Sequence, residues 1–478
     1  MMKSPILKRA APLLTALLLA GCVNYSGIST HATLTSSSDL ALSKANIQWP
    51  NDHSWEILND PTLNDLMKQA LENNPTIKIA QARLARVAAI TKVAEANRWP
   101  EVAIDASVMP ERFTENGVYP PPFAGSIYST NMLMVDAKYE FDFWGKNRAA
   151  LDAAISNEKA AQAEIHSARL IIETSIAKSY FTLAHDLEQK KILEKTLAQR
   201  DELFNLTHRR LEAGLDTRQD MKISAQGIPA IKSEIVQLDE QISLARNALA
   251  ALIGKGPDAT KDIVAVLPDR QFRNLPDSVP ADLIGRRADI TAARLRAEAA
   301  SRQIDATKTE FYPNVNLSAF AGFSALGFGR WLDPSSRDYA IGPAISLPIF
   351  DAGRLRAKLG DKTAEYDIAV ESYNQTLIEA IHDIADQLTS LRSLEQLQKQ
   401  QNELQRSAEN VFEIAQQREK AGLVNRATVL NAETTLLAQY SAANDLKTRG
   451  IELNINLIRA LGGGFNEQIP AKEVAATN

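Results

Sequence analysis

One thiol, six imidazoles and a few charged side chains near repeated glycines are the candidates for chemistry in this chain. Cys22 is the only cysteine, so the chain can close no disulfide on itself and build no multi-thiolate metal site. It follows Leu19-Ala20-Gly21, which ends a mostly apolar run from Ala10 preceded by Lys3, Lys8 and Arg9. That order of charge, short apolar run and small residues predicts a secretory signal over residues 1–21, too short to span a bilayer. A lone thiol directly behind it has the arrangement of a lipobox. The expected chemistry is S-diacylglycerol and N-palmitoyl attachment at Cys22, because several acyl chains hold a protein to a bilayer where one does not. Val23 follows the cysteine, and no aspartate stands there to signal retention at an inner membrane.

The remaining candidates yield no catalyst. His31, His53, His166, His185, His208 and His382 are dispersed, with none in an i, i+4 metal pair. Gly322 and Gly327 have the spacing of a phosphate loop but lack its lysine. No nucleophile stands beside a base, so the sequence predicts no enzyme, no metal and no cofactor beyond the lipid. The formal charge of -5 argues against a nucleic-acid partner. No run of 18 apolar residues follows the N-terminus, so spanning helices are not expected.

The elements that carry the remaining charges set their use. Leu133, Val135, Ala137, Tyr139 and Phe141 alternate with Met134, Asp136, Lys138 and Glu140, the period of a strand with one face in water. Strands are expected over residues 101–108, 131–143, 314–321 and 338–349, with Pro110 and Gly322 assigned to the loops between them. Trp99, Phe141, Phe143 and Trp144, with Phe311, Tyr312 and Phe350, gather at one set of strand ends. Tyr119, Phe123, Tyr128, Phe328 and Trp331 lie at the other, as for chains crossing two headgroup layers. Long helical hairpins follow the strands over residues 146–253 and 352–462, the first weakened at Gly227 and Pro229. Their tips fall at 213–216 and 421–424.

The plan occurs twice. Trp99-Pro100 matches Tyr312-Pro313 at an offset of 213, and Ala213-Gly214-Leu215 matches Ala421-Gly422-Leu423 at 208. Arg218 matches Arg426 and Gly254 matches Gly462 at the same 208. The organisation expected is a tether over 22–61, a first repeat over 62–254, a linker over 255–280, a second repeat over 281–463 and a tail over 464–478. A helix from Lys146 to Glu212 is roughly 100 Å long at 1.5 Å per residue. Such a length implies a coiled coil or a helical tube.

Four strands cannot close a lumen, and an open edge in lipid leaves unpaired amides at several kcal/mol each. Two, three or four copies would give 8, 12 or 16 strands, and spacing does not choose among them. With a closed wall, Asp136, Lys138 and Glu140 would face the lumen, and charge rings there would bias which solutes pass. Asp216, Arg218, Asp220 and Arg426 lie just after the tips, where acidic rings or an Arg–Asp contact could hold the tube shut.

The lipobox, the duplication, Arg286-Arg287-Ala288-Asp289-Ile290 before a helix ending in Phe311-Tyr312-Pro313, and Ala-Gly-Leu at both tips resemble the outer membrane factor family, the TolC-like and OprM-like exit ducts. The resemblance covers about Leu58 to Gly463. It implies a homotrimer in the outer membrane of a Gram-negative bacterium, with a 12-stranded transmembrane β-barrel continuous with a 12-helix periplasmic α-barrel. The 255–280 segment would be equatorial. Gly214, Leu215, Gly422 and Leu423 would meet a periplasmic adaptor that couples to an inner-membrane transporter, and the duct would pass drugs and toxic compounds passively. Ala288 replaces the family's usual proline. Asn431, with Thr428 near it, stands where many members carry a constriction aspartate, so the second hairpin is not expected to form the usual acidic ring. The rival readings are a polypeptide secretion duct and a coiled-coil tethering lipoprotein without a pore.

Overall fold

The computed structural model of the chain describes residues 25–36, 40, 49–50, 54–268 and 285–466. The expected signal, Cys22, much of the tether, the end of the 255–280 linker and most of the 464–478 tail lie outside the described residues. Helices α1 (Pro61–Asn73) and α2 (Pro75–Ala96) precede strands β1 (Glu101–Arg112) and β2 (Ile127–Phe141). The hairpin α3 (Lys146–Glu212) and α4 (Arg218–Leu252) follows. The second copy runs α5 (Ala288–Thr309), β3 (Asn314–Leu326), β4 (Arg337–Ser346), α6 (Arg354–Lys420) and α7 (Arg426–Ala460). Both outgoing helices have 67 residues and both returning ones 35, so the copies have kept their lengths.

Several boundaries differ from the sequence reading. β1 runs on through Pro110, expected in a loop, to Arg112, while β4 contains Pro343 within the range expected of that strand. Both are edge strands of the sheet β1-β2-β3-β4, where a missing amide can face away from the ladder. β3 extends to Leu326, so Gly322 is a strand residue rather than part of a flexible loop. A Cβ there would stand 2.0 Å from the Leu133 carbonyl oxygen, so glycine is what lets β3 approach β2. β2 spans Ile127–Phe141 and β4 ends at Ser346, because ladder pairing, not apolar alternation, decides where a strand stops. α4 passes unbroken through Gly227 and Pro229. The proline's cost of about 3 kcal/mol is offset by burying Leu238, Ile242 and Leu249.

The chain divides into two compact units that each draw on both repeats: residues 1–34, 84–161 and 293–373 in one, and 35–83, 162–292 and 374–478 in the other. The division cuts across the sequence repeats because the strands of one repeat pair with those of the other. In the first unit, all three strand pairings are antiparallel, and β2 with β3 joins the two copies. Asp142 accepts hydrogen bonds from the Asn147 and Arg148 amides (3.1 and 2.9 Å), and Asp351 from those of Gly353 and Leu355 (3.0 and 2.9 Å). These carboxylates satisfy the first amides of α3 and α6. Residues 25–32 are no free tether. Tyr25 and Ile28 pack on a core of Ile304, Phe311, Leu355 and Leu359, and the Asp367 carboxylate accepts from the His31 and Ala32 amides at 3.0 Å each.

In the second unit the long helices lie in the order α4, α3, α7, α6, as cross-helix bonds show. Lys190 on α3 meets Asp239 on α4 (2.6 Å), Gln199 on α3 donates to the Leu430 carbonyl on α7 (2.8 Å), and Gln401 on α6 donates to the Gln439 carbonyl on α7 (3.0 Å). A core of α1, α3, α4 and α7 residues includes Leu63, Met67, Ile176, Phe181, Leu249 and Ile455. The Tyr180 hydroxyl, inside it, donates to Asp60, which also caps α1. Arg287 grips Asp289 through two bonds (2.6 and 3.0 Å) and donates to the Ala460 carbonyl (2.9 Å), tying the start of α5 to the end of α7. At that junction Gly462 has φ +91°, and a Cβ would stand 2.0 Å from the Arg286 carbonyl oxygen.

Candidate functional site

Two places on the chain could act on a solute or a partner: the faces of the sheet and the tips of the hairpins. In the sheet, directly opposed residues share a face, so the register sorts every side chain. Val102 opposes Ala137, Ile104 opposes Val135, Tyr139 opposes Leu317, and Ala319 opposes Ile341. This face is apolar, and Ile104, Tyr339, Ile341 and Ile345 stand exposed on it. On the other face Lys138 opposes Glu101 and Ser318, Glu140 opposes Asn316, and Asp136 opposes Ala103 and Phe320. Asp136, Lys138 and Glu140 therefore share one face, most of it polar or small. Glu140 also pairs with Lys146 at 3.1 Å. β1 and β4 each leave one edge without a partner strand among the described residues.

Each tip is a left-handed glycine turn between two helices. Gly214 and Gly422 both have φ +72° with no atom near a would-be Cβ, so conformation and not space demands glycine. The Leu215 amide donates to the Arg210 carbonyl (2.8 Å) and the Leu423 amide to the Arg418 carbonyl (2.9 Å), closing both outgoing helices. The turn leaves the apolar Leu215 and Leu423 exposed to 67% and 68% among the described residues. Thr217 starts α4 with a reciprocal capping box to Asp220, and Asn425 starts α7 by accepting from the Thr428 amide at 3.0 Å.

The charges at the tips are arranged otherwise than the sequence suggested. Asp216 is held by Arg210 of its own hairpin through two bonds of 2.9 Å, and Asp220 is engaged by Thr217, whose hydrogen bonds hold its carboxyl below the usual range. Both acids are engaged within their own hairpin. Nor do the repeated arginines have repeated roles. Arg426 makes a two-pronged contact with Glu202 on α3 (2.7 and 3.1 Å) and a longer one with Glu419 (3.4 Å). Arg218 is exposed and makes no ion pair among the described residues. The expected Arg–Asp contact across the hairpins is thus an Arg–Glu contact. The cause is the helix order: α7 lies against α3, whereas among the described residues no long helix other than α3 is bonded to α4. The counterpart of Glu202, 208 positions on, is Asn410. Thr428 is spent on the α7 cap, its hydroxyl also donating to Asn425 (3.0 Å), and Asn431 is exposed.

Sequence reasoning missed the seam between α3 and α7. The Arg426 guanidinium lowers the Glu202 carboxyl and is itself raised by it, while burial raises Glu433 nearby. Further along the same seam His185 lies between two carboxylates, Asp186 (2.9 Å) and Asp445 of α7 (2.8 Å). The hydrogen bond to Asp186 raises the imidazole above its ordinary value, burial opposes that, and Asp445 adds to it. Asn444 donates to the His185 carbonyl (3.1 Å) and Gln189 to Ser441 (2.7 Å). Polar bonds thus join the two hairpins. The only hint in sequence was a histidine beside an aspartate, which is too common to select.

The described residues thus combine an amphipathic four-stranded sheet with open edges and long paired helices, and among them no helix is long and apolar enough to cross a membrane. A family model described as outer membrane efflux protein matches residues 66–255 and 279–463, and the chain belongs to that family. It is an outer-membrane efflux protein, of a family of channels rather than of enzymes.

Among individual relatives, the multidrug resistance outer membrane protein MdtP of Escherichia coli strain K12 is 28% identical over 428 residues, 87% of each chain. The fusaric acid resistance protein FusA of Burkholderia cepacia is 31% identical over 76% of this chain and 71% of its own. The crystal structure of the outer membrane protein VceC from Vibrio cholerae superposes with a TM-score of 0.79 at 38% identity, over 87% of this chain and all of that one.

Proposed function

We propose that three copies of this chain form a passive outer-membrane duct, a 12-stranded barrel continuous with a 12-helix barrel, through which small toxic compounds leave the cell. The observation that carries this reading is the sheet. Its apolar face suits lipid, its polar face suits a wet lumen, and its two open edges demand neighbouring copies, since unpaired amides in hydrocarbon are prohibitively costly. Twelve strands leave an open interior where eight would be filled by side chains. The resistance names of MdtP and FusA support drugs and toxic acids as cargo.

In this reading Asp136, Lys138 and Glu140 line the lumen, and the exposed Leu215 and Leu423 beside Gly214 and Gly422 dock a periplasmic adaptor that works with an inner-membrane transporter. Adaptor binding opens the tips by preferring the open state. Ring closure would bring α6 of a second copy to the bare side of α4, which gives the exposed Arg218 a neighbour. Cys22 carries the lipid. The test is the mass and conductance of the purified full-length protein: a trimer with stepwise current in a planar bilayer supports the duct, and a currentless single chain refutes it. A Cys22→Ser variant should lose membrane retention while its barrel still conducts, and unchanged fractionation would remove the lipid from the account.

A further inference from the structure

Both strand-to-helix junctions carry the same pattern, a positive-φ glycine, a basic residue, then arginine two further on: Gly145-Lys146-Asn147-Arg148 and Gly353-Arg354-Leu355-Arg356, 208 apart. The inner pair has a clear place. Lys146 and Arg354 line one cavity of about 510 Å³ with Glu140, Asn314 and Asn316, on the polar side of the sheet. Two residues along a helix is a rotation of about 200°. Arg148 and Arg356 therefore leave their helices on the side turned away from that cavity. Both are exposed; Arg148 makes no ion pair among the described residues, and Arg356 holds the Ser26 carbonyl (3.0 Å) of the N-terminal arm. The helix-start amides are already taken by Asp142 and Asp351, so an anion at these junctions would have to meet the guanidinium groups rather than the helix ends. Phe143, Ile349 and Phe350, close to them in sequence, are exposed, and Phe143 stacks on Phe141 of the apolar face.

We infer that Arg148 and Arg356 form a collar that binds the phosphates of anionic phospholipid headgroups at the foot of the sheet. An exposed guanidinium just beyond an apolar, aromatic-edged face meets the headgroup layer, and its charge selects an anionic lipid over a zwitterionic one. Duplication puts two such sites on each chain. The inference rests on the lipid-facing role of the apolar face, not on conduction.

The experiment is native mass spectrometry of the full-length protein in detergent, titrated with phosphatidylglycerol or phosphatidylcholine, with conductance measured on the same preparations. The wild type should retain phosphatidylglycerol preferentially. Arg148→Gln with Arg356→Gln should weaken it about fivefold for each charge removed, and the corresponding lysine variants should keep it. Equal retention of both lipids by the wild type, or undiminished phosphatidylglycerol binding by the glutamine variant, overturns the collar. Should the double variant fold poorly, Arg148→Gln alone decides, since it breaks no ion pair among the described residues. Lost lipid preference with intact current isolates the collar; lost current in the wild type instead bears on the duct.

Discussion

Removing the Arg426 side chain should loosen the resting duct, and removing the Arg218 side chain within the same preparation should do so less. Arg426 and Glu202 are 36% and 45% exposed, so solvent screens their contact despite its two short bonds. Such a pair contributes about 0.5–1 kcal/mol rather than the several expected of a buried one. In the proposed trimer, three such pairs acting together would bias the closed form by roughly 2 kcal/mol, or about thirtyfold in the closed-to-open ratio. Arg426→Ala should raise closed-state current in planar bilayers, and Glu202→Gln should reproduce most of that rise. Combining the two should add little, because both remove one interaction. Raised ionic strength should shrink the wild-type advantage. If Arg426→Ala leaves the current unchanged, or if Arg218→Ala matches it, the α3–α7 seam is not what holds the tips together.

The seam also predicts a pH dependence. His185 has a raised pKa in the fold, so its contribution is fully present below about 6.5 and fades as pH rises through the folded value. The melting temperature of wild type minus that of His185→Gln should therefore be largest near pH 5 and shrink toward pH 9; a constant difference would show that the charge is irrelevant. Gly462→Ala should destabilise the fold by more than about 2 kcal/mol in denaturant titration, since its Cβ meets the Arg286 carbonyl oxygen as well as a positive φ. Gly145→Ala, strained at φ +79° but with open space around it, should cost only about 1 kcal/mol. On the sheet, Ile341→Arg should impair membrane insertion by about 2–4 kcal/mol if it lies mid-membrane, while Ser318→Arg on the other face should insert normally and alter ion selectivity. Equal insertion of the two would contradict the assignment of faces.

Much of the fold was legible because its signals are local. Period-2 alternation around Val135 and Tyr139 marked a one-sided strand, and Gly214 and Gly422 marked tips because few other residues tolerate their φ. Strand ends were less legible: Pro110 read as a breaker until the sheet order showed β1 on an edge. The tip charges were read by proximity in sequence, which found Asp216, Asp220 and Arg218 but could not say what each would meet. Arg210 and Thr217 were already within reach of the two acids, and a local partner costs less entropy to engage than a distant one.

By itself, the sequence determined the duplication, the hairpins with their tips, and the two-faced strands, since each follows from residue type at fixed spacing. Only the tertiary structure decided that Glu202, not an aspartate, meets Arg426, and that His185 bridges to Asp445 across 260 residues. The physical reason is that two copies with matching sequence do not have matching neighbours. Packing α7 against α3 gives the second arginine a partner, while the first lies on a helix to which, among the described residues, no second long helix is bonded.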